Sequence, residues 1–185
     1  SMADDPNRRY SRAFFAMLLA CATTLALTPA SGHADDWSNA KAAGLYMICT
    51  VSKHAAERDG FQDALMLDYR GQIAEATGAN IFFVMNGELH TPKPDCFLDG
   101  ITRRTLIQLA TEDLGLRVVE RTIGRTELYT ADELFLCGTG AQISPVVEVD
   151  HRSIGSGGIG PVTKRIQERY FAAVHGRVPE YSHWL

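Results

Sequence analysis

The chain has 185 residues, 45% of them hydrophobic and 22% charged, a balance that describes a globular body with room for one core and excludes collagen-like, disordered and disulfide-scaffold classes. Lys+Arg number 18 against 22 Asp+Glu, a formal charge of −4, and no basic stripe with interleaved aromatics tracks a phosphate backbone, so nucleic acid is not an expected partner. Cys21, Cys49, Cys96 and Cys137 form no CxxC pair and the histidines are scattered singly, so no metal site is expected.

The first forty residues differ in kind from the rest. Arg8, Arg9 and Arg12 precede an uncharged run from Ala13 to Ala30, and Gly32-His33-Ala34 and two aspartates follow, the layout of a secretory signal. Thr23, Thr24, Thr28 and Pro29 interrupt the run and argue against a permanent membrane span. Residues 1–40 are therefore read as a signal-like or foreign apolar leader outside the core, and 41–185 as one domain. Ala42 to Arg58 is helix-permissive, with Leu45, Ile48, Val51 and Ala55 near one stripe and Gly60 as the stop. Strands are expected at Ala64–Asp68 and Asn80–Val84, each followed by a turn, Arg70-Gly71 and Asn86-Gly87. Thr102 is the expected N-cap of a helix to about Leu114, with Gly115 at its end. Val118 and Val119 begin a strand, Leu134–Cys137 is a short apolar strand, and Ile143 to Val149 is the next. A glycine-rich loop, Gly155–Gly160, leads to Pro161 and a last helix to about Val174 with Val162, Ile166, Tyr170 and Ala173 on one face. The fold class is α/β with α+β mixing.

Three places could carry chemistry. Lys41 stands among Ala40, Ala42, Ala43 and Gly44, apolar surroundings that would destabilise its charge and make the amine a useful nucleophile or base; the alternative is a solvated surface lysine. Glu75 lies in an uncharged stretch leading into a buried strand, as a catalytic carboxylate or a satisfied strand-end acid. The turns Asp99-Gly-Ile-Thr102 and Cys137-Gly-Thr-Gly-Ala141 could aim backbone N–H groups and a hydroxyl at an anion, and ordinary turn chemistry would produce them too.

Their conjunction adds more. The ordered strings A-K-A-A-G-L-Y, A-L-M-L-D, I-A-E-A-T-G-A-N-I-F, L-D-G-I-T-R and C-G-T-G-A-Q-I-S-P-V resemble the fold-type IV (class IV) pyridoxal-phosphate aminotransferases. The closing G-P-V-T-K-R-I-Q-E-R-Y-F and terminal H-W-L are most similar to the branched-chain amino acid aminotransferases of that group. The resemblance runs collinearly from Lys41 to Leu185 and implies the large C-terminal domain of the D-amino acid aminotransferase-like fold, without the small N-terminal domain that members place ahead of the lysine.

Residue by residue, the resemblance makes Lys41 the lysine that carries pyridoxal 5′-phosphate as a Schiff base and shuttles the substrate α-proton. It makes Tyr46 the partner of the cofactor's phenolic oxygen, Glu75 the carboxylate that keeps the pyridine nitrogen protonated, and Leu98 the apolar residue on the ring face. The amides of Ile101 and Thr102, with Thr139, match a phosphate cradle, and Gly140 and Ala141 lie where amides meet the substrate carboxylate. Gly138-Thr-Gly-Ala-Gln142 departs from the family's usual G-T-A-A-E.

The implied activity is transamination of leucine, isoleucine and valine with 2-oxoglutarate, impaired in this chain taken alone. Two alternatives are a D-amino acid aminotransferase or aminodeoxychorismate lyase on the same cofactor, and a non-catalytic remnant or partner-binding module. The implied partners are amino acids and 2-oxo acids and a second copy of the chain. The implied compartment is the cytoplasm, with export through residues 2–34 as the alternative.

Overall fold

Alternation within single strands decides the layering. Ile81-Phe82-Phe83-Val84 is buried throughout, so both faces of the strand that carries it must be covered. The computed structural model describes residues 14–17 and 43–184, with side chains from Met47 onward. Its helices are α1 (Ala43–Arg58), α2 (Ile101–Gln108) and α3 (Pro161–Val174). The strands are β1 (Phe14–Met17), β2 (Asp63–Leu67), β3 (Ile73–Ala76), β4 (Asn80–Met85), β5 (Glu88–Pro92), β6 (Val118–Arg121), β7 (Glu133–Gly138), β8 (Gln142–Val146), β9 (Glu148–Val149) and β10 (Arg152–Ser153).

They form two five-stranded sheets, ordered β10-β9-β1-β2-β3 and β6-β5-β4-β7-β8. Ile81 and Phe83 of β4 and Leu134 and Leu136 of β7 pack with Leu65, Leu67 and Ile73 of the other sheet, making a core between the sheets. Phe82, Val84, Phe135 and Cys137 point the other way, against Leu106 of α2 and Ile166 and Ala173 of α3. On the far side Ala64 of β2 packs with Ala56 of α1. The order of layers is helix, sheet, sheet, helices, the mixed α/β body expected.

Several elements differ from expectation. β1 comes from within the stretch read as a leader, yet it lies parallel to both β2 and β9, with Phe15 opposite Asp63 and Val149. A charge-free apolar run suits an export signal and a strand between two neighbours equally, and periodicity cannot separate them. In α1 the buried positions are Ser52 and Ala56, while Val51, expected on the core face, is 67% exposed. Small residues there let the helix approach Ala64 closely. Strands β3 and β5 were not expected. β5 reads as Glu-Leu-His-Thr-Pro, with little apolar signal, but the Asn86-Gly87 turn folds it onto β4, both residues left-handed at φ 53° and 76°.

The N-cap of α2 is Gly100 rather than Thr102, and after Gln108 the helix widens into one π-helical turn, Leu109–Asp113, where the Leu114 N–H donates to the Leu109 carbonyl at 3.2 Å. Gly115, at φ 62°, ends it as expected. The strand expected from Ile143 to Val149 divides at Val147, because the chain leaves one sheet as β8 and enters the other as β9. Among the described residues no helix is long and apolar enough to cross a membrane.

One buried acid fixes the last helix. Glu133, 7% exposed on β7, accepts hydrogen bonds from the Val162 N–H at 2.9 Å and the Thr163 N–H at 2.7 Å, and so caps α3 where its dipole favours negative charge. Glu133→Gln turns an NH2 group towards one of those donors. The expected cost is about 2 kcal/mol in urea unfolding, the scale of a charged hydrogen bond lost in a buried place.

Candidate functional site

Glu75 lies on β3 directly opposite Met66 of β2. Leu65 and Leu67 face the inter-sheet core and Ala64 faces α1, so Met66 and Glu75 belong to the face that α1 covers. The carboxylate-bearing position is partly buried and shares a layer with α1, the helix on which Tyr46 lies. Lys41 lies outside the described residues, and Tyr46 is described by its backbone alone.

The remaining expected residues gather at one end of the neighbouring sheet, around the start of β4. Asn80, 6% exposed, donates from Nδ2 to the Leu98 carbonyl at 2.9 Å. Its Oδ1 lies 2.5 Å from where a Cβ on Gly100 would stand, so only glycine allows the chain to pass so close before turning into α2. Asn80 is also the register partner of Cys137, and Gly138, one residue on, would meet the Gly78 carbonyl at 3.5 Å with a Cβ. Asn80 thus joins the segment 98–102 to the start of β4, and the turn 77–79 lies against Gly138, from which the turn 139–141 continues.

The start of α2 is chemically open. No side chain caps it: Gly100 has none to offer, and the first-turn N–H groups, those of Ile101 and Thr102 included, have no intrahelical acceptor. Together with the helix dipole they form a donor set for an anion. Ile101 is 77% exposed, so the end of the helix is reachable. Across the site, Thr139-Gly140-Ala141 links β7 to β8, with Gly138 paired to Gln142 and the Ser144 hydroxyl donating to the Ala141 carbonyl at 2.7 Å. Gln142, where the family's usual motif has glutamate, takes a left-handed φ of 51° and is exposed. Nothing lies within 4 Å of the Cβ position of Gly140, which leaves room beside the turn.

Electrostatics around the site is mostly self-compensated. Arg103, 1% exposed on the first turn of α2, donates to Asp99 at 2.7 Å and to Glu120 at 2.5 Å. Asp68, Asp95 and Cys96 bring ligand atoms within 4.8 Å of one another, but the Arg70 guanidinium sits among them, donating to both carboxylates at 2.8 Å. Burial pushes the Cys137 thiol up to about 12, so it stays protonated and packs as an apolar residue. Burial also lowers His90 below the usual imidazole range, with the Arg121 guanidinium adding to the effect.

Asn80 and Arg103 were not singled out from sequence. For Arg103 a signal existed: it shares the apolar stripe of Leu106 and Ala110, and a cation on a core-facing stripe needs buried acceptors. For Asn80 there was none, since its partners are backbone groups distant in sequence.

With this geometry in hand, comparison with known proteins is decisive. The family model for amino-transferase class IV matches residues 9–149. The chain belongs to the class IV aminotransferase family. The matched span begins inside the stretch read as a leader, in keeping with the pairing of β1. A probable branched-chain-amino-acid aminotransferase of Aquifex aeolicus is 48% identical over 146 residues, 78% of this chain and 47% of that protein. The branched-chain-amino-acid aminotransferase of Pseudomonas aeruginosa is 42% identical over 147 residues, 80% of this chain and 48% of that protein. The chain spans about half the length of these class IV relatives. Among solved structures, a branched-chain amino acid aminotransferase complexed with N-(5'-phosphopyridoxyl)-L-glutamate matches with a TM-score of 0.83 and 36% identity, over 95% of this chain and 56% of that one. The PLP form of the Thermobaculum terrenum enzyme matches at 0.84 and 34%, over 98% of this chain and 57% of that one.

Proposed function

We propose that this chain carries the pyridoxal 5′-phosphate-binding part of a branched-chain-amino-acid aminotransferase, which exchanges an amino group between leucine, isoleucine or valine and 2-oxoglutarate. The observation that carries the reading is the start of α2, a helix end at Gly100 whose N–H donors no side chain caps, in a chain 48% identical to a probable enzyme of that class. The residues present fit a phosphate monoester: N–H donors without side-chain acceptors, hydroxyls at Thr102 and Thr139, and open space at Gly140.

When bound, the cofactor supplies an electron sink for the electrons of a breaking bond at the substrate α-carbon. The Ile101 and Thr102 N–H groups and the Thr139 hydroxyl hold its phosphate. Glu75 would keep a proton on the ring nitrogen, Tyr46 would hydrogen-bond the phenolic oxygen, and Leu98 would offer an apolar surface to the ring. With the cofactor bound, the Nζ of Lys41 would be the amine that holds it and the base for the proton at the substrate α-carbon, while the Gly140 and Ala141 N–H groups would orient the substrate carboxylate. The same reading includes self-association, since Met47 and Val51 on α1 are 71% and 67% exposed, and a cytoplasmic setting.

Borohydride reduction of the cofactor-loaded protein followed by peptide mapping tests the assignment. A pyridoxyl group is expected on Lys41. A label on Lys53, Lys93 or Lys164 instead, or none, overturns it.

A further inference from the structure

The geometry points to Arg103 as a positioning residue that holds the anion-binding start of α2 in place, an inference that rests on the phosphate assignment just made. Arg103 is the third residue of α2, and its guanidinium reaches the residue before the helix cap and the two strands β5 and β6. Nη1 donates to Asp99, immediately before the Gly100 cap, at 2.7 Å. Nη2 donates to the Pro92 carbonyl at the end of β5 at 2.9 Å and to Glu120 on β6 at 2.5 Å. Nε donates at 3.3 Å to the Thr91 hydroxyl, which itself donates to the Ile81 carbonyl of β4 at 2.9 Å. One planar fork thus ties the segment 99–103 to β5 and β6 directly and to β4 through the Thr91 hydroxyl, a geometry lysine cannot reproduce with a single ammonium.

The charges show what kind of help this is. Arg103 brings one positive charge and its two carboxylate partners bring two negative ones, so the group offers an incoming anion no net attraction. Its contribution is orientation: the Ile101 and Thr102 N–H groups stay where they are because the turn beneath them cannot tilt. Asn80 supports the same segment from the other side through the Leu98 carbonyl.

The test compares equilibrium binding of pyridoxal 5′-phosphate and of pyridoxal, which shares the aldehyde and ring and lacks the phosphate. In the unaltered chain the phosphate form is expected to bind more tightly. Arg103→Lys keeps the charge and removes the fork. It is expected to weaken pyridoxal 5′-phosphate by about 10- to 100-fold, the scale seen when the support behind a ligand is removed, while pyridoxal is unchanged. Equal losses for both ligands, or no loss, overturn the positioning role. Should Arg103→Lys fail to fold, Asp99→Asn, at a partly exposed partner, carries the test, with a smaller loss in the same direction and again confined to the phosphate form. If the unaltered chain shows no preference for the phosphate form, the anion seat itself is wrong, and the role of Arg103 falls with it.

Discussion

Replacing Lys41 by alanine is expected to lower the rate at which leucine converts the bound cofactor by at least about 10²- to 10⁴-fold, the range for loss of a positioned acid–base group. Lys41 stands between small apolar residues, Ala40, Ala42, Ala43 and Gly44, and is the lysine to which the proposed function gives the cofactor. Ala43 and Gly44 open α1, and α1 packs through Ala56 on the sheet face that carries Glu75. Lys53, an exposed lysine further along the same helix, is the control, and Lys53→Ala should leave the rate unchanged. The rate is read in a single-turnover half-reaction with leucine, which needs no second substrate. If Lys41→Ala keeps the rate of the unaltered chain, the amine lies elsewhere.

Elements whose own pattern dictates them were legible in the sequence. The last helix and its Pro161 start, the apolar β4 and β7, and the Asn86-Gly87 and Gly115 turns stand as read, because each follows from local sterics or from period-two and 3.6-residue burial. The elements that tertiary pairing creates were not. β5 is a strand because β4 and β6 pair with it on either side, and β8 and β9 separate because the chain changes sheets at Val147. At the site the same division holds. The Gly-Thr turns carried their own signal, whereas Asn80 and Arg103, which hold the segment before α2, act through backbone carbonyls and acids that only the fold brings near. The expected Thr102 cap failed for a related reason: the helix begins two residues earlier, leaving the Thr102 amide in the first turn, where an anion can use it.

Glu75→Gln is expected to slow α-proton removal from leucine on the order of 10²-fold, with little change in unfolding. The two effects separate because of where the residue stands. Ile73 and Ala76 of β3 fill the core between the sheets, while Glu75 pairs with Met66 on the opposite face and remains partly exposed. An amide of the same shape keeps the strand and its packing, so the stability change should stay within about 1.5 kcal/mol, the net scale of one hydrogen bond. The chemistry is less forgiving. A carboxylate holds a proton on a ring nitrogen by opposite charge, and a protonated ring accepts electrons from the α-carbon better than a neutral one. Glutamine offers a dipole in place of the charge and would hold the ring proton less firmly. Stopped-flow measurement of the leucine half-reaction, alongside a urea titration, reads both quantities. A variant that unfolds early and otherwise reacts at the normal rate would make Glu75 a strand-end acid that serves the fold.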